Sequence, residues 1–393
     1  LTGKKTEEGK AFLSGFYAGE KSYQNQNQRL SIIVKDSRSD DLQAIIDARS
    51  LERMKQVKTI ISPLSDQSSL AISSTLSRTN IPIILTKIQQ NDLSEINDKT
   101  YHFNSTLAIQ GRMAARYAVN ELGLQSLGVI SPTNQNGEIQ TDAFIKEVDQ
   151  LGANVVFSEW YSGEPKNLKR QFKNIRRIAF NLLPKEESYD EALGMSIDSL
   201  DALFDISTED YFNLPKKKKK KMSTLDSSKV VLSSIDGIYF PINLDDLEFI
   251  GPQVPMYNLE TKIIGNNNWQ KLSILQKENI GPHLKGLSII TNFNQQSINS
   301  EVYNGDKQSS FYSGYNISRL LIDINLENQS RKSLNQTLKN LDFHKGIGFF
   351  YSRSVSSDQI NAAFQILEFD GEGFNLQGVF QGDSLQMVLS QKP

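Results

Sequence analysis

Two polar turns hold the side chains best placed to do chemistry in this 393-residue chain. The first, residues 62–67, reads Ser-Pro-Leu-Ser-Asp-Gln and offers the Ser65 hydroxyl, the Asp66 carboxylate and the Gln67 amide. The second, residues 86–91, reads Thr-Lys-Ile-Gln-Gln-Asn and offers Lys87 and Gln89. Each follows a short apolar run, at 59–61 and 81–85. Helix-like spacing begins directly after the first turn, with Ser65 or Asp66 placed to cap it. In an open α/β sheet, ligands lie where strand C-termini meet helix N-termini. The two turns are therefore the first candidates for holding a small molecule.

Catalytic groupings are thin by comparison. The chain has no cysteine, which excludes disulfides, a thiol nucleophile and thiolate zinc sites. His102, His283 and His344 stand apart in sequence, so neither a metal cluster nor a triad is supported. The patterns G-x-S-x-G, G-x-x-x-x-G-K-[ST] and H-E-x-x-H do not occur. Asp40-Asp41 and Asp245-Asp246 stand at expected helix starts, where carboxylates cap. Gly371-Glu372-Gly373 lies between two strand-like runs and reads as a hairpin turn. The pattern is that of a binding protein rather than an enzyme, with no metal and no cofactor.

The elements that must position these turns alternate along the chain. A helix is expected over 8–23, a strand at 30–34, and a helix whose inner face is Ala44, Ala48 and Leu51. Ile109, Met113 and Tyr117 mark a helix ending near Gly123. The pattern then restarts with a strand at 126–130, a helix lined by Phe144, Val148 and Leu151, a strand at 153–161 and a helix lined by Leu168, Phe172 and Ile175. Later come strands near 237–242, 261–265 and 284–293, a helix over 244–257, a helix through Ile317 and Ile324, and a closing hairpin. Strand and helix in alternation imply parallel sheets wrapped by helices, and two such runs imply two lobes. Residues 181–229 break the rhythm. Helical spacing of Leu193, Ile197, Leu200 and Phe204 suggests an inserted helix, followed by six consecutive lysines, Lys216–Lys221. Such a run next to an acidic stretch reads first as a solvated loop and second as a docking flap for an anionic surface.

A net charge of −2 gives no field for nucleic acid. No apolar run approaches a membrane span. The opening LTGKK starts mid-motif, as if a strand had been cut off upstream, so a signal peptide, lipid-anchor motif or further domain would not be visible in this sequence, and tethering through an N-terminal lipid anchor is left open.

In their order, several segments resemble the type I periplasmic binding proteins, the group that includes branched-chain amino-acid receptors of ABC importers. They are LTGKKTEEGKAFLSGFYAGE, VKDSRSDDLQAIIDARSL, TIISPLSDQSSLAISSTLSRTNIPII, YHFNSTLAIQGRMAARYAVNELGLQSLGVI and GANVVFSEWYSGE. Looser likenesses follow in GIYFPINLDDLEFIGPQ, KIIGNNNW and FYSGYNISRLLIDI. The resemblance implies an α/β fold of two Rossmann-like lobes with an interlobe cleft. Lobe 1 would comprise 1–119 and 294–358, and lobe 2 would comprise 120–293 and 359–393, with 181–229 inserted in lobe 2.

It also implies where a ligand would sit. Asp66, beside Ser65, falls where amino-acid receptors offer a hydroxyl to the ligand carboxylate. Lys87 and Gln89 fall where they offer small residues and a threonine. On lobe 2, Asn136 and Asn243 fall where aromatic contacts are usual. Asn267, within Asn266-Asn267-Asn268, falls where an acid meets the ligand ammonium. An amide-rich cleft suits neutral polar ligands, since amides both donate and accept; the bland alternative makes Asp66 a helix cap, Lys87 a solvated loop residue and the asparagines turn formers. The implied function is an extracytoplasmic, ligand-binding component of an ABC-type importer or sensor, taking an amino acid, amide, peptide or sugar-like ligand. Its partner would be an ABC permease. The alternative is a module of the penicillin-binding-protein activator kind, acting by contact with a cell-wall synthase.

Overall fold

The computed structural model describes residue 2 and residues 5–22, 30–87, 93–183, 189–190, 195–196, 230–298, 302–303, 305–354 and 357–387. Its first half runs through helices α1 (Thr6–Lys21) and α2 (Asp41–Arg53), strand β1 (Ile60–Ser62), helix α3 (Asp66–Thr75), strands β2 (Ile83–Leu85) and β3 (Thr100–His102), and helix α4 (Leu107–Arg116). Strand β4 (Ser126–Pro132), helix α5 (Gln135–Gln150), strand β5 (Asn154–Tyr161) and helix α6 (Lys169–Asn181) follow. Strands β6 (Gly237–Phe240), β7 (Lys262–Gly265) and β8 (Ser288–Thr291) precede helices α7 (Gln308–Asp323) and α8 (Arg331–Lys339). The chain closes with β9 (Phe343–Lys345), β10 (Phe350–Ser354), β11 (Ser357–Asn361), β12 (Gln365–Phe369), β13 (Phe374–Gln381) and β14 (Ser384–Met387).

These strands form two main sheets. The first has the order β1-β2-β3-β11-β10-β9, parallel from β1 to β11 and antiparallel beyond. The second has the order β5-β4-β6-β7-β8-β12-β13-β14, parallel from β5 to β8 and antiparallel from there on. Strands β2, β6 and β8 are buried along their whole length. Continuous apolar runs do this when helices cover both faces of a sheet. In the first sheet, Ile61 and Ile84 face Phe12, Phe16 and Ile317 of α1 and α7, while Ile60, Ile83 and Leu85 face Ala44, Ala48 and Ile72 of α2 and α3. The fold is thus two α/β lobes, as the alternation of elements required.

The chain leaves the first lobe earlier than 119. Helix α4 buries Ile109, Met113 and Ala114 against Leu127, Val129 and Phe144 of the second lobe. It lies so close to α5 that a Cβ on Gly111 would come within 2.2 Å of the Gln140 carbonyl oxygen. The hydrophobic face of this helix was legible, but nothing in a helical period says which of two sheets it covers. The return near 294 begins with a bridge from Phe293 to Phe349. The last crossover follows β11, at 362–364, rather than at 358.

Two expected elements differ. Residues 30–34 are not a strand, because among the described residues their backbone has no sheet neighbour. Residues 244–257 are not one helix but a single turn, Leu247–Ile250, and a 3₁₀ turn, Val254–Tyr257. Pro252 and Pro255 remove the N–H groups a continuous helix would need, and Asn258 ends the stretch in the left-handed region at φ 46°. Within 181–229, the described residues beyond α6 include a strand pair, Tyr189–Asp190 with Met195–Ser196. Of the expected helix over Leu193–Phe204 only Met195–Ser196 is described, and it is strand; the rest of it and the lysine run lie outside the described residues.

Candidate ligand-binding site

The C-terminal ends of β1 and β2 open into a cavity of about 550 Å³. Ser62, Ser65, Ser68, Thr86 and Lys87 line its polar end, and Glu8 reaches in from α1. Ser65 is the residue before α3, yet its side chain makes no cap bond. Its Oγ lies 3.2 Å from Ser68 Oγ, and the Ser68 hydroxyl donates to Asp41. Deeper, Ser62 Oγ and Ser69 Oγ are 3.2 Å apart. Asp66 sits in the first turn of α3, where a carboxylate is favoured by the helix dipole. Asp66 and Gln67 stand outside the cavity lining.

Lys87 forms an ion pair with Glu8 across this end. Burial, with Lys5 and Lys307 nearby, nonetheless pushes its ammonium down to about 8. Lys87 is therefore a half-buried, paired cation rather than a solvated loop residue. Gln89 lies outside the described residues.

On the second lobe the polar side chains are tied together. Asn134 caps α5 by accepting from the Gly137 N–H at 2.8 Å, and its amide donates to Asn243 Oδ1 at 2.8 Å. Asn243 in turn donates to Asp246 Oδ2 from its backbone N–H at 3.0 Å and its side chain at 2.8 Å. The same carboxylate oxygen accepts from the Tyr161 hydroxyl at 2.6 Å. Burial and the Asp246 carboxylate push the Tyr161 hydroxyl far above the ordinary tyrosine range. Asp246 is buried and makes no side-chain cap to the helical turn it precedes. The expectation of a capping acid is corrected here: Asp246 instead joins the loops after β5 and β6.

Asn267 accepts from the Gln110 amide at 2.9 Å and donates to Asn292 Oδ1 at 3.0 Å. Asn266 and Asn268 both donate to the Ile242 carbonyl, at 2.9 and 2.7 Å. Trp269 is fully buried, with its indole N–H on the Phe240 carbonyl at 3.0 Å. Asn136 is exposed on the first turn of α5, its carbonyl accepting from Gln140.

The structure thus brings Ser65 and Lys87 together on lobe 1. It joins Asn134, Asn243 and Asp246 on lobe 2, with Asn267 on the neighbouring strand end. Sequence reasoning missed Glu8, Asp41 and Gln110. No spacing rule reaches them, since Glu8 is 79 residues from Lys87 and Gln110 is 157 from Asn267. Among the described residues, no helix is long and apolar enough to cross a membrane.

Comparison with known proteins agrees with this architecture. Residues 1–177 match the family model described as periplasmic binding protein. A putative branched-chain amino acid ABC transporter protein from Rhodospirillum rubrum superposes with a TM-score of 0.73 at 16% identity, covering 96% of this chain and 97% of that one. A leucine binding protein from Thermotoga maritima gives 0.55 at 14% identity over 97% of both chains. A solute binding protein from R. palustris, solved with benzoate, gives 0.55 at 12% identity over 99% and 96%. No curated protein matches the chain. The fold is that of the two-lobed periplasmic binding proteins.

Proposed function

We propose that this chain is the ligand-binding component of an ABC-type importer, working outside the cytoplasm and holding a small polar ligand between its two polar rims. The observation that carries the reading is the matched placement of those rims. Both parallel sheets end in loops bearing hydroxyls, amides or charge, and strand C-termini are where such sheets bind ligands. A hinge motion that brings the rims together would surround the ligand and exclude water. Lobe 1 contributes Ser65, Lys87 and the neighbouring hydroxyls; lobe 2 contributes the exposed Asn136 and the linked Asn243 and Asn267.

The ligands in the relatives' names, leucine and benzoate, both carry a carboxylate. Lys87 is the cation that would receive such a group here, with Glu8 giving way. The permease of the importer is the proposed protein partner. The cell-wall synthase alternative draws no support from these relatives.

A thermal-shift panel of carboxylates, amino acids, amides, sugars and short peptides tests the proposal. A ligand at 100 times its dissociation constant adds about 2.7 kcal/mol when it binds only the folded form. The expected result is a clear shift from one chemical class, reduced by Asn243→Ala and by Lys87→Met. A shift that both variants leave intact would remove the rims from the site.

A further inference from the structure

Lobe 1 carries a second concave surface at the end of its sheet opposite the polar rim. Strands β1 and β2 run parallel, so the residues that lead into them share one end of the sheet and the rim loops that follow them share the other. At the leading end, the C-terminus of α2, the residues just before β1 and β2, and the N-terminus of α8 enclose an open depression of about 580 Å³. Lys55, Lys58, Arg78, Arg331 and Lys332 line it, against one carboxylate, that of Glu52. The whole chain has a net charge of −2, so this concentration of cations is made by the fold and not by the composition.

The walls are fastened without any ligand. The Arg331 guanidinium donates to the backbone carbonyls of Val57, Glu52 and Met54, at 2.9, 2.7 and 2.9 Å, and pairs with the Glu52 carboxylate at 3.3 Å. It ties the start of α8 to the end of α2, and Glu52 is spent on it. The Asn335 amide donates to the Asn80 carbonyl at 2.9 Å, which ties α8 to the turn before β2. Lys55, Lys58, Arg78 and Lys332 remain, and among the described residues none of them has an ion pair or a side-chain hydrogen bond. Lys55, Arg78 and Lys332 are exposed and Lys58 is half-buried. Like charges on fixed segments repel one another, and an anion in the depression relieves that repulsion at little cost in ordering its walls.

We propose that this depression is a second binding site, distinct from the ligand rim, for phosphate groups presented several at a time. One exposed ion pair is worth too little to retain an anion, so a lone carboxylate of the kind suited to Lys87 is held only weakly here. A polyanion meets several cations at once, and the ammonium and guanidinium groups are both phosphate binders. A soluble polyphosphate and the neighbouring headgroups of an anionic lipid offer this same chemistry, and the depression is open to either.

The test is calorimetric titration of the full chain with inorganic triphosphate at low ionic strength, beside co-sedimentation with phosphatidylglycerol vesicles. The combined variant Lys58→Gln, Arg78→Gln and Lys332→Gln removes three of the charges and keeps Arg331, which holds the walls. A control, Lys146→Gln, Lys173→Gln and Lys277→Gln, changes the net charge equally at exposed positions of lobe 2. The expected result is binding that the first variant weakens by about tenfold or more and the control by less than about twofold. Triphosphate binding assigns a soluble anion, and vesicle binding without it assigns a headgroup. Binding of neither, or equal weakening by the two variants, would overturn the inference. Hexaglutamate binding as tightly as triphosphate would also overturn it, assigning a general attraction for polyanions. So would loss of binding on replacing Lys216–Lys221 with Ser while the first variant has no effect, which would move the anion to the lysine run.

Discussion

His102 makes the stability of this protein depend on pH in a way that one substitution isolates. The ring lies in β3, between Leu85 of β2 and Ile360 of β11. It is completely buried, and among the described residues neither ring nitrogen has a hydrogen-bond partner. Burial therefore disfavours the imidazolium and pushes the ring from 6.5 down to about 4. The folded protein then refuses a proton that the unfolded chain accepts from about pH 6.5 downward, so stability falls with acidification. At pH 5, linkage gives a loss of about 2 kcal/mol relative to pH 7.5, approaching about 3.4 kcal/mol below pH 4. The assay is urea unfolding at pH 7.5 and pH 5.0 for the parent and His102→Leu. Leucine has no charged form and is close in size, so whatever it does to absolute stability, it should cancel most of the pH-dependent loss. His344, also lowered by burial, titrates equally in both proteins and drops out of the difference. If His102→Leu loses as much stability as the parent between the two pH values, the buried ring is not the source and the reasoning fails.

Three further outcomes follow from the second lobe and from Lys87. Asp246→Ala leaves the buried Tyr161 hydroxyl and the Asn243 N–H without their acceptor and should cost about 3 kcal/mol in urea unfolding. A double-mutant cycle with Tyr161→Phe should show a coupling of about 1–2 kcal/mol, and additivity would rule out the shared bond. Trp269→Ala should cost about 3–5 kcal/mol by opening a cavity against Phe240, seen as a lower urea midpoint at unchanged slope. Lys87, lowered from 10.5 to about 8, binds its proton less tightly when folded. Its contribution makes stability rise between pH 8 and pH 10.5, and Lys87→Met should flatten that rise.

The sequence carried the lobes because their strands are continuous apolar runs too short to be helices, set between amphipathic helices of the right period. Ile83–Leu85 and Gly237–Phe240 could hardly be anything but buried strands. The helix over 107–121 was equally plain, yet its side of the crossover was not, because Met113 and Ala114 look the same whichever sheet they meet. The candidate site was half legible. Ser65 and Lys87 line one cavity because they follow neighbouring strands, a local signal. What Lys87 does was not legible, because its partner Glu8 is an unremarkable helix residue until the fold brings it across the cavity. Asp246 was misjudged for a related reason: an acid before a helical turn is usually a cap, and only tertiary packing against Tyr161 turns it into a buried acceptor. Residues 30–34 have the composition of a strand, but a strand is a paired object, and among the described residues their backbone has no sheet neighbour.

Both rims already satisfy their own polar groups, which sets what a ligand can gain. Asn243 and Asn267 are engaged on both their donor and acceptor sides, so a ligand there must exchange bonds rather than add them, and each exchange nets only about 0.5–1.5 kcal/mol. At Lys87 the competitor is Glu8, and their side chains are 37% and 30% exposed. A partly solvated pair of this kind is worth about 0.2–1 kcal/mol. Glu8→Gln keeps the shape of the side chain while removing its charge and frees Lys87 for an anionic ligand. For any carboxylate-bearing hit from the panel, the expected result is an affinity gain of about two- to fivefold by calorimetry, with neutral hits unaffected. An unchanged or weaker affinity for the carboxylate would mean that the ligand's charge does not reach Lys87, and that Glu8 and Lys87 hold α1 to the loop after β2 instead of waiting for a ligand.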